Sequence, residues 1–170
     1  MVFSRRIWTL LALVVALGVV LGGAAGFASP KDGANNKERN KTVVIKSRQA
    51  TVVDVGQKGP SQGDTRVVNA PLYDESGKEK VGRIDVYCVT TDPADEPNEK
   101  ANMAECTYAF TLRNGEITAQ GVNAFPKLPA PPPKALDAIT GGTEKFEGAR
   151  GETSAETRGK RTFFTFHFID

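Results

Sequence analysis

From Val81 to Val122 apolar and polar residues alternate through three successive runs, and that two-residue period is the strongest constraint on this chain. The runs are Val81–Thr91, Met103–Leu112 and Glu116–Val122. Asn114-Gly115 between the last two is the favoured dipeptide of a type I′ hairpin turn. With that turn, Leu112 is expected to pair with Ile117 and Phe110 with Ala119. On the preceding hairpin, setting Cys88 opposite Cys106 puts Val86 against Tyr108 and Ile84 against Phe110. Both assumptions give one apolar face: Ile84, Val86, Cys88, Cys106, Tyr108, Phe110, Leu112, Ile117 and Ala119. The other face carries Arg83, Asp85, Glu105, Thr107, Thr111, Thr118 and Gln120. An apolar face and a polar face on one sheet require an inside and an outside.

The rest of the chain reads the same way. Thr42–Val55 and Asp64–Leu72 are strand-like, separated by a loop around Gly59-Pro60. Asp74–Lys80 is a turn, and the acidic, proline-containing Thr91–Lys100 is a loop. Phe125–Lys134 holds five prolines and is expected to form a polyproline-like surface loop. Ile139–Glu152 contains four glycines in fourteen residues, too many for a helix or a plain strand. It reads as a tight loop, anchored by Phe146, at the end of a sheet. Ala149–Thr157 and Lys160–Ile169 close the chain as strands, the last with Phe164, Phe166 and Phe168 on one side. Many short strands and no helical periodicity beyond the N-terminal segment mean a sandwich or a barrel.

Arg5 and Arg6 precede an uncharged apolar run, Ile7–Leu21, and a small-residue segment ending at Ala28. This is the layout of a secretory signal peptide. The expected organisation is a signal peptide over 1–28, a flexible polar N-terminus over 29–41, and one β domain over 42–170. If cleavage fails, residues 7–28 would anchor the domain to the membrane; the apolar run is short for a span of roughly 20 residues. In either case the domain is expected outside the cytoplasmic membrane. Cys88 and Cys106 are then expected to form a disulfide, because paired cysteines in exported domains usually do. The 22 basic residues nearly balance the 20 acidic ones, so no global field attracts nucleic acid.

Candidates for chemistry are few. His167 is the sole histidine and sits between two phenylalanines in a strand, which suits a structural role. Most of the acids (Asp54, Asp64, Asp74, Asp85, Glu105, Glu144, Glu147, Glu152) flank turns or face outward. No cysteine–histidine grouping with metal-ligand spacing occurs. The glycine stretch lacks the Gly-Lys-Ser/Thr ending of a phosphate loop and opens no helix, which argues against nucleotide binding. Arg150 is a candidate for holding an anionic or enolate-like oxygen, or for pairing with Glu147 or Glu152.

Taken in order, several short motifs resemble the allene oxide cyclase-like/dirigent-like barrel superfamily, especially its bacterial secreted members. They are Asp54–Asp64, Pro71-Leu72-Tyr73-Asp74 with Gly77, Val81-Gly82-Arg83, Cys106-Thr107, Gly115-Glu116-Ile117 and Gly121. The most specific is Ala138–Thr143 followed by Phe146 and Gly148-Ala149-Arg150-Gly151-Glu152. The resemblance implies an eight-stranded antiparallel β-barrel with an apolar lumen, wide enough for one small ligand. Plant cyclases of this superfamily turn an unstable fatty-acid epoxide into a cyclopentenone. Its plant dirigents steer phenolic intermediates without a cofactor, and plant members are trimers. Here Glu144 stands where the family usually has a further glycine, and the proline-rich loop is an elaboration. The catalytic acid of the cyclases has no assigned counterpart.

The functional expectation is a secreted barrel that binds a small hydrophobic molecule, fatty-acid-derived or phenolic, and steers its cyclisation or coupling. Any activity would be cyclase- or dirigent-type and cofactor-free, and a homotrimer is implied by the resemblance. The ligand-facing residues are expected to be Ile84, Val86, Tyr108, Phe110, Phe164, Phe166 and Phe168, with Arg150 at the mouth. The alternative is a binding or structural barrel whose lumen is packed solid. A cavity of a few hundred cubic ångströms would favour the first.

Overall fold

A computed structural model describes residues 40–94, 99–126 and 133–169. The signal segment over 1–28 and most of the polar segment over 29–41 lie outside these residues, as does the middle of the proline-rich loop. The strands are β1 (Lys41–Ile45), β2 (Gln49–Val53), β3 (Thr65–Asp74), β4 (Lys80–Asp92), β5 (Ala101–Leu112), β6 (Gly115–Pro126), β7 (Ala135–Gly142), β8 (Gly151–Arg158) and β9 (Arg161–Phe168). Every pairing is antiparallel, in the order β1-β9-β8-β7-β6-β5-β4-β3 with β3 returning to β1. The barrel is therefore closed and eight-stranded, because β1 and β2 run along opposite ends of β3 as one interrupted strand. β1 also pairs with β9 and is buried, whereas β2 pairs only with β3 and is exposed throughout.

The two faces of the sheet follow the alternation. Ile84, Val86, Cys88, Cys106, Tyr108, Phe110, Leu112, Ile117 and Ala119 are all buried, and Cys88 lies opposite Cys106 in a disulfide. The β5–β6 register differs from expectation. Phe110 pairs with Ile117 and Leu112 with Gly115, a shift of two residues from the pairing built on a type I′ turn. Such a turn needs positive φ at both central residues. Asn114 keeps negative φ, and Gly115, at φ 123°, takes the positive value. A slip of two leaves every side chain on its original face, so the inward set survives the error.

The second correction concerns the glycine stretch. Ile139–Gly142 is not loop but the end of β7, a strand that pairs with both β6 and β8. The loop proper runs from Thr143 to Arg150 around a 3-10 turn at Glu144–Phe146. Glu144 adopts φ 53°, the left-handed conformation that favours glycine, and is alone in this among the described non-glycine residues. This is the position where the motif resemblance implies glycine. The proline-rich segment also begins later than expected, since Phe125 and Pro126 belong to β6.

Candidate functional site

Side chains divide the lumen into a packed floor and an open mouth. Phe110 and Phe166 are fully buried and meet edge-to-face at 4.8 Å between ring centroids. Phe164 packs edge-on against Phe110 at 5.3 Å, and Phe168 stacks on Phe166 at 5.9 Å. Leu72, Ile84 and Ile117, all with no exposed surface, complete this half. Above it lies a cavity of about 140 Å³, bordered by Val68, Val86, Tyr108, Asn123, Ala155 and Phe164. At its rim stand Arg48, Arg66 and Phe125. A second pocket of about 200 Å³, between the β2–β3 loop and the barrel end, shares Arg66, Cys88 and Phe125 with it.

The polar centre of the cavity is assembled from β5, β6 and β7. The Asn123 side-chain amide donates to Tyr108 Oη at 3.0 Å and to Asp137 Oδ1 at 2.8 Å. The carboxylate fixes which end of the amide faces it, because a carboxylate accepts and the amide nitrogen donates. Tyr108 Oη therefore receives a hydrogen bond, and its own O–H is left to donate to a ligand oxygen. Burial, and then the neighbouring Asp137 charge, push the Tyr108 pKa well up, so the hydroxyl keeps its proton. Asp137 fits behind Asn123 because residue 121 is glycine: a Cβ there would run into the carboxylate and come 3.2 Å from Asp137 Cα.

Asp137 is almost fully buried, and its Oδ2 has no hydrogen-bond partner. The hydroxyl of Thr153, the residue paired with Asp137 across β7 and β8, is likewise without one. Burial raises the Asp137 pKa, and the Asn123 hydrogen bond offsets part of that rise. Relative to the unfolded chain, the folded state therefore holds the Asp137 proton more tightly. This contribution to stability is complete below the ordinary carboxyl value, near 3.9, and is lost as pH rises through the raised folded value. Asp137→Asn keeps the acceptor for Asn123 and carries no charge. Its Tm is expected to match the wild type near pH 4 and to exceed it by several degrees at pH 8, in paired thermal melts.

Of the residues expected to face a ligand, Val86, Ile84, Tyr108 and Phe164 border the cavity, whereas Phe110, Phe166 and Phe168 belong to the floor. Arg150 is exposed on the loop before β8, away from the cavity wall. His167 Nδ1 lies 3.1 Å from Asn40 Oδ1, on the outer side of β9. Asn123, Asp137 and Arg66 are the polar residues that sequence reasoning missed. Asp137 shares its alternation with buried Ile139, and Arg66 with Val68, Ala70 and Leu72. Among the described residues no group of three or more His, Cys, Asp and Glu side chains converges as a metal site would.

No family model matches the sequence, and no curated protein does. Solved structures do match. A pyocyanin demethylase aligns over 76% of this chain and 99% of its own, with 24% identity and a TM-score of 0.63. The Diels-Alderase AbmU from Streptomyces koyangensis aligns over 80% of this chain and 72% of its own, with 11% identity and a TM-score of 0.56. A pterocarpan synthase dirigent protein aligns over 77% and 84%, at 18% identity and a TM-score of 0.48. The chain shares the barrel fold of the pyocyanin demethylase and the Diels-Alderase. At these identities the likeness is one of fold, and a shared fold does not carry an activity with it.

Proposed function

We propose that the barrel binds one small, largely apolar molecule in the mouth half of its lumen and orients it for cyclisation or coupling. The observation that carries this reading is the Tyr108 hydroxyl, held by Asn123 at the wall of a cavity that Val68, Val86, Ala155 and Phe164 also line. A dry cavity of about 150 Å³ lined by apolar side chains holds a molecule the size of benzene. The cavity here, about 140 Å³, suits a single ring or a short unsaturated segment, with the remainder of a larger ligand leaving through the mouth. A phenolic ligand fits that space better than a whole fatty-acid chain.

The chemistry follows from geometry rather than from a cofactor. Apolar walls restrict the ligand to few conformations, and a hydrogen bond from Tyr108 to a ligand carbonyl or phenol oxygen polarises it. Holding reacting ends near each other lowers the entropic part of the barrier. The Diels-Alderase that shares the fold is named for a cycloaddition, a reaction that responds to such confinement. The packed floor supports the alternative reading in part: this half of the lumen serves stability and holds no ligand.

Export is part of the proposal. The N-terminal sequence pattern and the Cys88–Cys106 disulfide both suit an oxidising compartment. Among the described residues, no helix is long and apolar enough to cross a membrane. A trimer rests on the family resemblance alone.

The test is Tyr108→Phe, with NMR titration of ring-sized enones and phenols. Loss of one hydrogen bond should weaken binding about tenfold. Folding stability should fall by about 1–3 kcal/mol, because the ring packing remains but a buried Asn123 N–H loses its acceptor. Unchanged affinity in the variant would refute the role of the hydroxyl.

A further inference from the structure

Arg66 occupies an unusual place. The inward positions of β3 run Leu72, Ala70, Val68 and then Arg66, so an arginine continues the apolar lumen stripe. It is half-buried, and its guanidinium lies over the Phe125 ring, 4.5 Å from the centroid. Arg48 stands at the same rim, on the segment between β1 and β2. These two are the charged residues on the wall of the lumen cavity, and both are cationic.

Among the described residues, neither forms an ion pair with a carboxylate. The three ion pairs among the described residues are Arg83–Asp85, Arg113–Glu79 and Arg158–Glu156, all exposed. Asp54 and Asp64 border the adjoining pocket, where loop amides hold their carboxylates without an ion pair to either arginine. Asp64 accepts from the Val55 and Ser61 N–H groups, and Asp54 from that of Gly59. Asp137 lies behind Asn123, which hydrogen-bonds it. Burial, and then the nearby Arg48 charge, lower the Arg66 pKa. A desolvated cation facing a second cation is costly unless an anion joins them.

We propose that the lumen ligand is an organic anion: a ring-bearing carboxylate whose acid group is held by Arg66 and Arg48 at the mouth while its ring enters toward Phe164 and Tyr108. The proposal rests on the lumen-binding reading above and adds the class of ligand. Guanidinium presents paired N–H donors that match a carboxylate. The Phe125 ring supports the Arg66 guanidinium at the rim. Apolar walls below and a cationic rim above thus select an amphiphile with its charge at one end.

Benzoate and benzamide test this, since they share size and shape and differ in charge. Both would be titrated into the full chain while following the aromatic resonances of Phe164 and Tyr108. Benzoate is expected to bind at least tenfold more tightly, with an advantage that shrinks as salt is raised. Arg66→Gln should remove the preference for benzoate over benzamide, and Arg66→Lys should retain part of it. Equal affinity of the two probes for the wild type, or a preference that survives Arg66→Gln, would overturn the anion assignment while leaving lumen binding intact. If neither probe shifts the lumen resonances, the lumen-binding reading fails and the anion assignment with it.

Discussion

Phe110→Ala is expected to destabilise the barrel by about 3–5 kcal/mol, the usual cost of deleting a fully buried phenylalanine. Phe110 has no exposed surface, and three aromatic rings surround it. It stacks on Tyr108 at 6.0 Å and meets Phe164 and Phe166 edge-on at 5.3 and 4.8 Å. These neighbours sit on rigid strands of a closed barrel, so they have little freedom to collapse into the space vacated. The hole would open upward beneath Tyr108 and deepen the existing cavity. The variant should therefore lose stability in urea unfolding and gain room for a longer ligand. A loss below about 1 kcal/mol would mean that the floor is not the packed layer described.

Removing the disulfide should come next in effect. Cys88 and Cys106 are 18 residues apart, and both are buried among apolar side chains. Cross-linking a loop of this length restricts the unfolded chain and is worth about 3 kcal/mol. The two cysteines face each other in the register of β4 and β5, whose pairing is set by many neighbouring residues. The Cys88→Ala/Cys106→Ala variant is therefore expected to keep the strand pairing while unfolding at lower denaturant, by about 2–4 kcal/mol. The wild type should show the same loss when unfolded with a thiol reductant present, and the alanine variant should be indifferent to reductant. Equal stability with and without reductant in the wild type would show that the bridge does not hold the fold.

The parts of the structure that could be read in advance are those where one physical rule acts alone. Alternation in β4, β5 and β6 placed Ile84, Val86, Tyr108, Phe110 and Ile117 inside without help from any other element. The same rule absorbed an error of two residues at the Asn114-Gly115 turn, because a slip of two preserves the face. Glu144, read as standing where the resemblance implies glycine, holds the left-handed backbone conformation that favours glycine.

The polar half of the site was illegible for a different reason. Asp137 lies between a run of prolines and a cluster of glycines, and the glycines obscured β7 as a strand. Gly142 sits at that strand's end, where a Cβ would press on Glu116 O and Phe146 Cβ, each at 2.8 Å. Their scarcity of side chains reflects close approach, not irregular backbone. Asn123 fell one residue beyond the expected end of its strand. Arg66 lay in a strand that was recognised, but a charged residue on the inward alternation is the kind of exception that pattern reading passes over. Arg150 came from motif resemblance, and the structure sets it on an exposed loop.

The central claim is that the mouth of the lumen, and not the outer surface, takes a small molecule. Native mass spectrometry of the full chain with ring-sized ligands, run beside Ala155→Trp, tests it most directly. Ala155 borders the cavity, and an indole there would fill it. A one-to-one adduct on the wild type that is absent from Ala155→Trp is the predicted result. No adduct on the wild type, or an adduct equally abundant on the blocked variant, would contradict the account.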